Sequence, residues 1–112
     1  MKIDIYKKNG ISFIRTLEDI SFYIDDKKYV VPAGFISDGA SIPSIFWGFI
    51  SPCIDARTLL PAVIHDYLYS VHIVDRLTAD RIFLEYLIVN DFPCWKSYTC
   101  YYAVRIFGVF YF

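Results

Sequence analysis

Residues 61–80 read PAVIHDYLYSVHIVDRLTAD, and this segment predicts two helices that lie side by side. We expect the first helix over residues 61–71 and the second over residues 76–90, with Asp75 as the N-cap of the second. The connection between them is short, so the two helices are predicted to be antiparallel neighbours. The second helix is apolar along one face except for Asp80, which is therefore expected to face the first helix.

The chain on either side of this helix pair predicts an α+β fold in one domain, residues 1–112. Residues 1–34 alternate polar and apolar side chains, which is typical of a small antiparallel β-meander. Residues 35–60 are expected to form a loop and a short helix over residues 43–50, and residues 61–112 to be helical, with a third helix over residues 93–107. A β-meander followed by a short helix and three packed α-helices is an α+β architecture, and the length suits a single domain.

The composition excludes several classes of protein. Hydrophobic residues make up 56% of the chain, which excludes intrinsic disorder. The formal net charge is -1, so a basic footprint for nucleic acid is absent, and Lys96 and Arg105 are too few cations for a phosphate track near the C-terminus.

The N-terminus lacks the apolar run of a signal peptide, and the uncharged residues 39–54 fall short of the roughly 20 that a transmembrane helix needs. The cysteines, at spacings unsuited to a metal, are expected to be free thiols: Cys53, Cys94 and Cys100.

A candidate catalytic pair lies in the seam between the two predicted helices. His65 and Asp80 can face each other there, and a buried carboxylate orients a histidine and stabilises its imidazolium, as a general base requires. Tyr69 follows His65 by one turn and is expected to donate its hydroxyl to Asp80. The alternative is that this His–Asp–Tyr network only locks a small core, because polar clusters mark function in some proteins and not in others.

A candidate metal site lies beside this pair. Asp66 is adjacent to His65 and points about 100° away from it, towards the loop of residues 37–41. Asp66 and Asp38, with the other polar or small residues of that loop, would form an oxygen-rich site suited to Ca²⁺ or another divalent metal; those residues are Ser37, Gly39 and Ser41. The alternative is structural, because Asp-Gly is a common turn pair and serine a common helix cap.

Three blocks of the sequence resemble those of one family. Residues 31–43 read VPAGFISDGASIP, residues 60–69 read LPAVIHDYLY, and residues 79–83 read ADRIF. In this order they are similar to the domain of unknown function 1353, which is found in phages and prophages, and the late block YYAVRIFG, residues 101–108, is also typical of it. The resemblance covers residues 29–108. It implies a phage or prophage origin, with the protein in the host cytoplasm when made, and it implies no established activity.

A second resemblance is local to the helix pair. The pattern His-Asp-x-x-Tyr, with an aspartate on the following antiparallel helix, is similar to the secreted phospholipases A2. There the histidine is the general base for a water, the second aspartate supports it, and the adjacent aspartate binds calcium. The resemblance implies His65 as the base, Asp80 as its support through Tyr69, and Asp66 as a calcium ligand. The phospholipase cysteines are missing, and so is the glycine-rich calcium loop, unless residues 34–39 replace it.

Three functions stay open at this point. The first is a hydrolase that acts on a lipid or cell-envelope ester or amide. The second is a virion, tail or assembly component that binds a phage structural subunit through the aromatic residues 92–112. The third is peripheral membrane contact through the same residues. Burial separates the first two, because an open cleft at His65 favours the enzyme, whereas a sealed His65 with exposed C-terminal rings favours the interface.

Overall fold

The computed structural model describes residues 2–8, 11–37 and 56–107 and confirms the α+β fold. Antiparallel strands occupy the N-terminal part, and three helices follow. The elements are β1 (Ile3–Lys8), β2 (Ile11–Thr16), β3 (Ile20–Ile24), β4 (Lys27–Val31), β5 (Ile36–Ser37), α1 (Ala56–Val71), α2 (Arg76–Val89) and α3 (Cys94–Phe107). The short helix predicted over residues 43–50 lies outside the described residues.

The strands form two sheets where the sequence predicted one meander. β1, β2 and β5 form a three-stranded antiparallel sheet in that order, and β3 pairs with β4 in a separate hairpin. Thr16 explains the difference, because its backbone N–H donates to the Phe35 carbonyl at 2.9 Å and its carbonyl accepts from Gly34 N–H at 2.8 Å. Gly34 has φ +87°, which glycine adopts readily, and this turn brings β5 to the edge of β2.

The β3–β4 hairpin supplies the sheet side of the core. Its turn residues Asp25 and Asp26 have φ values of 48° and 67°, as a type I′ turn requires. Ile20 and Phe22 of β3 are buried, whereas the alternate residue Ser21 is exposed. Phe22 packs its ring edge against Tyr67 of α1, with the ring centroids 6.2 Å apart, so the hairpin rests on the first helix.

The helices follow the predicted order, with one corrected boundary. α1 begins at Ala56. The prediction began this helix at Pro61, because proline commonly occupies the first position of a helix. Pro61 lies inside α1 and removes one backbone hydrogen bond there, and this is tolerated because residues 61–66 are all buried and tertiary packing holds the segment. Asp75 caps α2 as predicted, since its side chain accepts from the Thr78 N–H at 2.9 Å.

The helix α2 packs against both α1 and α3. One buried cluster joins the β3–β4 hairpin to α1 and the start of α2, and a second joins the three helices around Phe83, Leu87 and Val104. Cys94 is a free thiol, as expected, and Cys53 lies outside the described residues. Within residues 56–107, no helix is long and apolar enough to cross a membrane. Residues of α1 and α2 therefore belong to both buried clusters.

Candidate functional site

The centre of the candidate site is a contact between α1 and α2. The Nε2 atom of His65 lies 2.7 Å from Oδ1 of Asp80, and neither side chain has exposed surface. The antiparallel helix pair produces this contact, because each residue lies on the face that its helix turns towards the other. The sequence-based expectation that His65 and Asp80 face each other is thus confirmed as geometry, while a catalytic role stays a prediction.

Asp80 accepts three hydrogen bonds through its two carboxylate oxygens. The Tyr69 hydroxyl donates to Oδ1 at 2.5 Å, as expected, and the Nη1 group of Arg105 donates to Oδ2 at 2.8 Å. Burial by itself would raise the pKa of Asp80, but the hydrogen bonds from His65, Tyr69 and Arg105 together hold it below the ordinary value of 3.8. Burial and the neighbouring Asp80 raise the pKa of Tyr69, so its hydroxyl keeps its proton. Asp80 is therefore a buried anion at neutral pH.

The charge on Asp80 fixes the form of His65. An ionised carboxylate can only accept, so Nε2 carries the proton and donates it to Asp80, and Nδ1 is left with a lone pair. Burial lowers the pKa of His65 from its ordinary value of 6.5, and the hydrogen bond to Asp80 opposes that effect only in part. The imidazole is consequently neutral at neutral pH. A neutral imidazole with a free lone pair has the form that a general base requires.

The second nitrogen of His65 faces a carboxylate. Within the part of the chain that the structure describes, Nδ1 is buried and has no hydrogen-bond partner. Oδ1 of Asp66 lies 4.0 Å from Nδ1. The rings of Tyr69 and Phe83 flank the imidazole, with centroids 4.2 Å and 4.9 Å from its own, and restrict its rotation. Nδ1 is thus a positioned acceptor beside a second acceptor.

Asp66 connects this pair of atoms to the sheet. The Ser37 hydroxyl donates a hydrogen bond to Oδ2 of Asp66, and both residues are buried. Ser37 lies in β5, and its partner across the strand pair is Ile14 of β2, so the sheet holds Ser37 in place. The expectation that Asp66 points towards the loop at residue 37 is therefore confirmed for Ser37. Asp38, Gly39 and Ser41 lie outside the described residues.

The predicted metal site stays a prediction. Asp66 supplies a hard oxygen ligand of the kind that Ca²⁺ prefers, and the Ser37 hydroxyl beside it is a compatible donor. Among residues 2–8, 11–37 and 56–107, however, no group of three His, Cys, Asp or Glu side chains could hold an ion.

Two arginines near this network, Arg105 and Arg76, were not predicted from the sequence. Arg105 of α3 donates to Asp80, and Arg76 of α2 donates to the backbone carbonyls of Val104, at 3.4 Å, and Arg105. One signal pointed to Arg105, since it is the charged residue of the block YYAVRIFG, residues 101–108. Arg76 carried no comparable signal, because its contacts depend on how α3 crosses α2.

Burial at His65 and on α3 bears on the choice between enzyme and interface. His65 has no exposed surface, so it does not line an open cleft in the described part of the chain. Four large apolar residues at helical spacing are exposed on one face of α3: Trp95 (66%), Tyr98 (44%), Tyr102 (59%) and Ile106 (63%). By the criterion of burial both observations favour the interface. The geometry at Nδ1 favours the enzyme.

Comparison with known proteins places the chain beside others of unknown function. A family described as "Protein of unknown function (DUF1353)" matches residues 14–104. The uncharacterized protein y4jT of Sinorhizobium fredii is 36% identical over 90 residues, which cover 78% of this chain and 27% of that protein. The chain thus matches about a quarter of the length of this relative. No solved structure matches the chain.

Proposed function

The chain belongs to the family of proteins of unknown function DUF1353, and we propose that it is a hydrolase in which His65 is the general base. The observation that carries the proposal is the buried, acceptor-form Nδ1 of His65, 4.0 Å from Oδ1 of Asp66 and without a hydrogen-bond partner among the described residues. Two acceptors at this distance repel each other unless a donor lies between them. The site therefore favours a molecule that donates two hydrogen bonds.

Water has the dimensions and chemistry for this position. A water oxygen about 2.8 Å from each atom, an ordinary hydrogen-bond length, forms a triangle with the 4.0 Å separation of Nδ1 and Oδ1. The angle at the oxygen is then close to a right angle, near that between the two O–H bonds of water. One hydrogen points to His65 and the other to Asp66, which leaves a lone pair for attack on an electrophile.

The reaction follows from this arrangement. The water oxygen attacks the carbonyl carbon of an ester or amide while Nδ1 takes its proton, and the imidazolium that forms is stabilised by Asp80. The bond to the leaving group then breaks, and Nδ1 returns the proton to the departing alkoxide or amine. Asp80 needs no proton at any step, because His65, Tyr69 and Arg105 already satisfy its oxygens. The proposed substrate is a lipid or cell-envelope ester or amide. The resemblance to phospholipases A2 supports the lipid ester, and the phage origin that the DUF1353 resemblance implies supports the cell-envelope bond.

A purely structural network would be expected to look different. Buried polar atoms in protein cores are nearly always paired, and an unpaired one costs about 1–3 kcal/mol. Asp80 follows this rule in full, with three donors on one carboxylate. On the same histidine, Nδ1 does not follow it among the described residues. An acceptor that is costly for stability and correctly placed for proton transfer supports a catalytic role.

Hydrolysis by matched histidine variants tests the proposal. Wild-type protein, His65→Ala and His72→Ala are incubated with phospholipid vesicles and with peptidoglycan, each with and without calcium. His72 is the second histidine of the chain and is exposed, so it controls for the loss of an imidazole. We expect wild-type and His72→Ala proteins to hydrolyse one of these substrates and folded His65→Ala to be inactive. Inert wild-type protein on every substrate, or an active His65→Ala, would contradict the proposal.

A second candidate function is favoured by the exposed face of α3. Its rings and Ile106 form an apolar stripe that suits a protein partner, and we propose a structural subunit of a phage particle as that partner. The test is co-sedimentation of the protein with phage particles, for wild-type and for Trp95→Glu with Tyr102→Glu. Binding by wild-type protein alone supports this function. Equal sedimentation of both, or binding to liposomes in place of particles, contradicts it.

A further inference from the structure

The positive charge that completes the buried network comes from the third helix. Nη1 of Arg105 donates to Oδ2 of Asp80 at 2.8 Å, with 29% of the Arg105 side chain exposed and none of the Asp80 side chain. The other two donors to Asp80, His65 and Tyr69, are neutral groups. Within the described part of the chain, Arg105 is thus the cationic side chain that hydrogen bonds to this carboxylate.

The last turn of α3 is itself held against α2. Arg76 lies one helical turn before Asp80, and its guanidinium donates to the backbone carbonyls of Val104 and Arg105. The last carbonyls of a helix have no partners within it, so this contact satisfies groups that need a donor. Two arginines therefore cross the α2–α3 interface in opposite directions, and together they fix the guanidinium of Arg105 over Asp80.

Loss of the Arg105 charge would move a proton within the site. A fully buried carboxylate without a cationic partner takes up a proton readily, because burial disfavours the charged form. Protonated Asp80 would donate to Nε2 of His65, 2.7 Å away, where it now accepts. Neutral His65 would then carry its own proton on Nδ1. An imidazole in that tautomer cannot take a proton from a water beside Asp66.

We propose that Arg105 is a positioning residue that keeps Asp80 ionised, and so holds the proton of His65 on Nε2 and leaves Nδ1 as the base. The catalytic consequence rests on the proposed hydrolase function. The tautomer of His65 is a property of the free protein and can be measured without a substrate. This inference also gives a role to the late sequence block that contains Arg105, which the His65–Asp80 pair alone leaves unexplained.

The tautomer of His65 in charge variants tests this inference. Arg105→Gln removes the charge, Arg105→Lys keeps it, and Arg81→Gln removes an exposed arginine next to Asp80 in the sequence as the control. Nitrogen-15 NMR of the imidazole at pH 7.5 distinguishes a proton on Nε2 from one on Nδ1. We expect Nε2–H in wild-type, Arg105→Lys and Arg81→Gln proteins and Nδ1–H in Arg105→Gln. Folded Arg105→Gln with the wild-type tautomer would overturn the inference.

Activity separates this inference from the proposed function. If the chain is a hydrolase, Arg105→Gln is expected to lower kcat by at least about tenfold and to leave KM unchanged. Losses of this size follow in metal sites when a hydrogen-bond partner that orients a functional side chain is removed. A changed tautomer in a protein that hydrolyses nothing leaves the inference standing and removes the hydrolase. An unchanged tautomer with lost activity overturns the inference and leaves the hydrolase.

A measurement on the wild-type protein covers the case in which Arg105→Gln does not fold. Carbon-13 NMR of the Asp80 carboxyl group reports its ionisation directly. We expect Asp80 to be ionised at pH 5, because a cationic donor contacts it. A protonated Asp80 at that pH would overturn the inference without any variant.

Discussion

Nε2 of His65 lies 2.7 Å from Oδ1 of Asp80 across the α1–α2 seam, and both side chains are completely buried. This contact orients the imidazole, fixes its proton on Nε2 and directs the other nitrogen towards Asp66. The remaining parts of the site support the contact, since Tyr69 and Arg105 satisfy the carboxylate and Ser37 holds Asp66. The proposed chemistry and the stability of the domain therefore depend on the same few side chains.

Replacement of Asp80 by asparagine is expected to impair both activity and stability. Asparagine cannot hold the imidazolium, so kcat should fall by about two to four orders of magnitude, by analogy with the aspartate of a catalytic triad. The free energy of unfolding should fall by about 3 kcal/mol, because Arg105 loses its buried partner. Steady-state kinetics and urea denaturation measure the two effects. Asp75→Asn is the control, since asparagine also caps a helix, and equal losses in both variants would contradict the assignment.

The pH dependence of stability should reveal the buried histidine. Burial lowers the pKa of His65 in the folded protein below the 6.5 of the unfolded chain, so the unfolded chain binds the proton first as the pH falls. The free energy of unfolding should therefore decrease below pH 6.5, by at most about 1.4 kcal/mol per pH unit from this group. The decrease from His65 should stop once the pH is below the folded-state pKa.

Urea denaturation between pH 7.5 and pH 5 measures this decrease. His65→Gln should lose the corresponding slope, and the control His72→Gln should keep it because His65 is intact in that variant. Asp80 adds no slope in this range, since its lowered pKa makes its stabilisation disappear only as the pH falls below 3.8. Parallel pH profiles for wild-type protein and His65→Gln would show that His65 is not the group responsible.

The Tyr69 hydroxyl is expected to contribute to the stability of the folded protein. Tyr69→Phe removes one donor from a buried carboxylate and keeps the ring that contacts His65. A hydrogen bond to a charged group contributes about 1.5–3 kcal/mol, so the free energy of unfolding should fall by that amount. Tyr102→Phe, on the exposed face of α3, is the matched control and should leave it unchanged within about 0.5 kcal/mol. Chemical denaturation checks both values, and a neutral Tyr69→Phe would contradict the described network.

Ser37 is expected to position Asp66 for the attacking water. Ser37→Ala removes a buried hydroxyl that donates to Asp66, so the carboxylate loses part of its orientation and kcat should fall by about tenfold or more. Ser21→Ala, at an exposed site in β3, should have no effect. Steady-state kinetics of the two variants provide the measurement. Wild-type kinetics in Ser37→Ala would exclude this role for Ser37.

The sequence predicted the helix pair and its polar contacts because local rules determine them. Helical periodicity and a short connection specify which faces of α1 and α2 meet, and so bring Tyr69 and His65 to Asp80. The start of α1 at Ala56 was missed because Pro61 carries a helix-start signal, while burial of the residues around it allows the helix to begin earlier. Local signals thus identify elements better than their ends.

Long-range contacts explain what the sequence left open. The pairing of β2 with β5 depends on Thr16, whose hydroxyl donates to the Pro32 carbonyl and accepts from Phe35 N–H, both at 2.9 Å. Alternation of polar and apolar residues contains no such information. Likewise, the reach of Arg105 to Asp80 depends on how α3 lies against α2, which helical periodicity does not specify. The tautomer of His65 therefore could not be predicted from the sequence, because it depends on the position of α3.

The most direct test of the central claim is hydrolysis in ¹⁸O-labelled water. Wild-type protein and His65→Ala are incubated in it with the phospholipid and peptidoglycan substrates, and the carboxylate product is analysed by mass spectrometry. If His65 activates a water, the wild-type product contains one ¹⁸O atom from solvent, and His65→Ala forms product no faster than the protein-free control. A wild-type protein that forms no labelled carboxylate, or a His65→Ala variant that forms it at the wild-type rate, would contradict the claim.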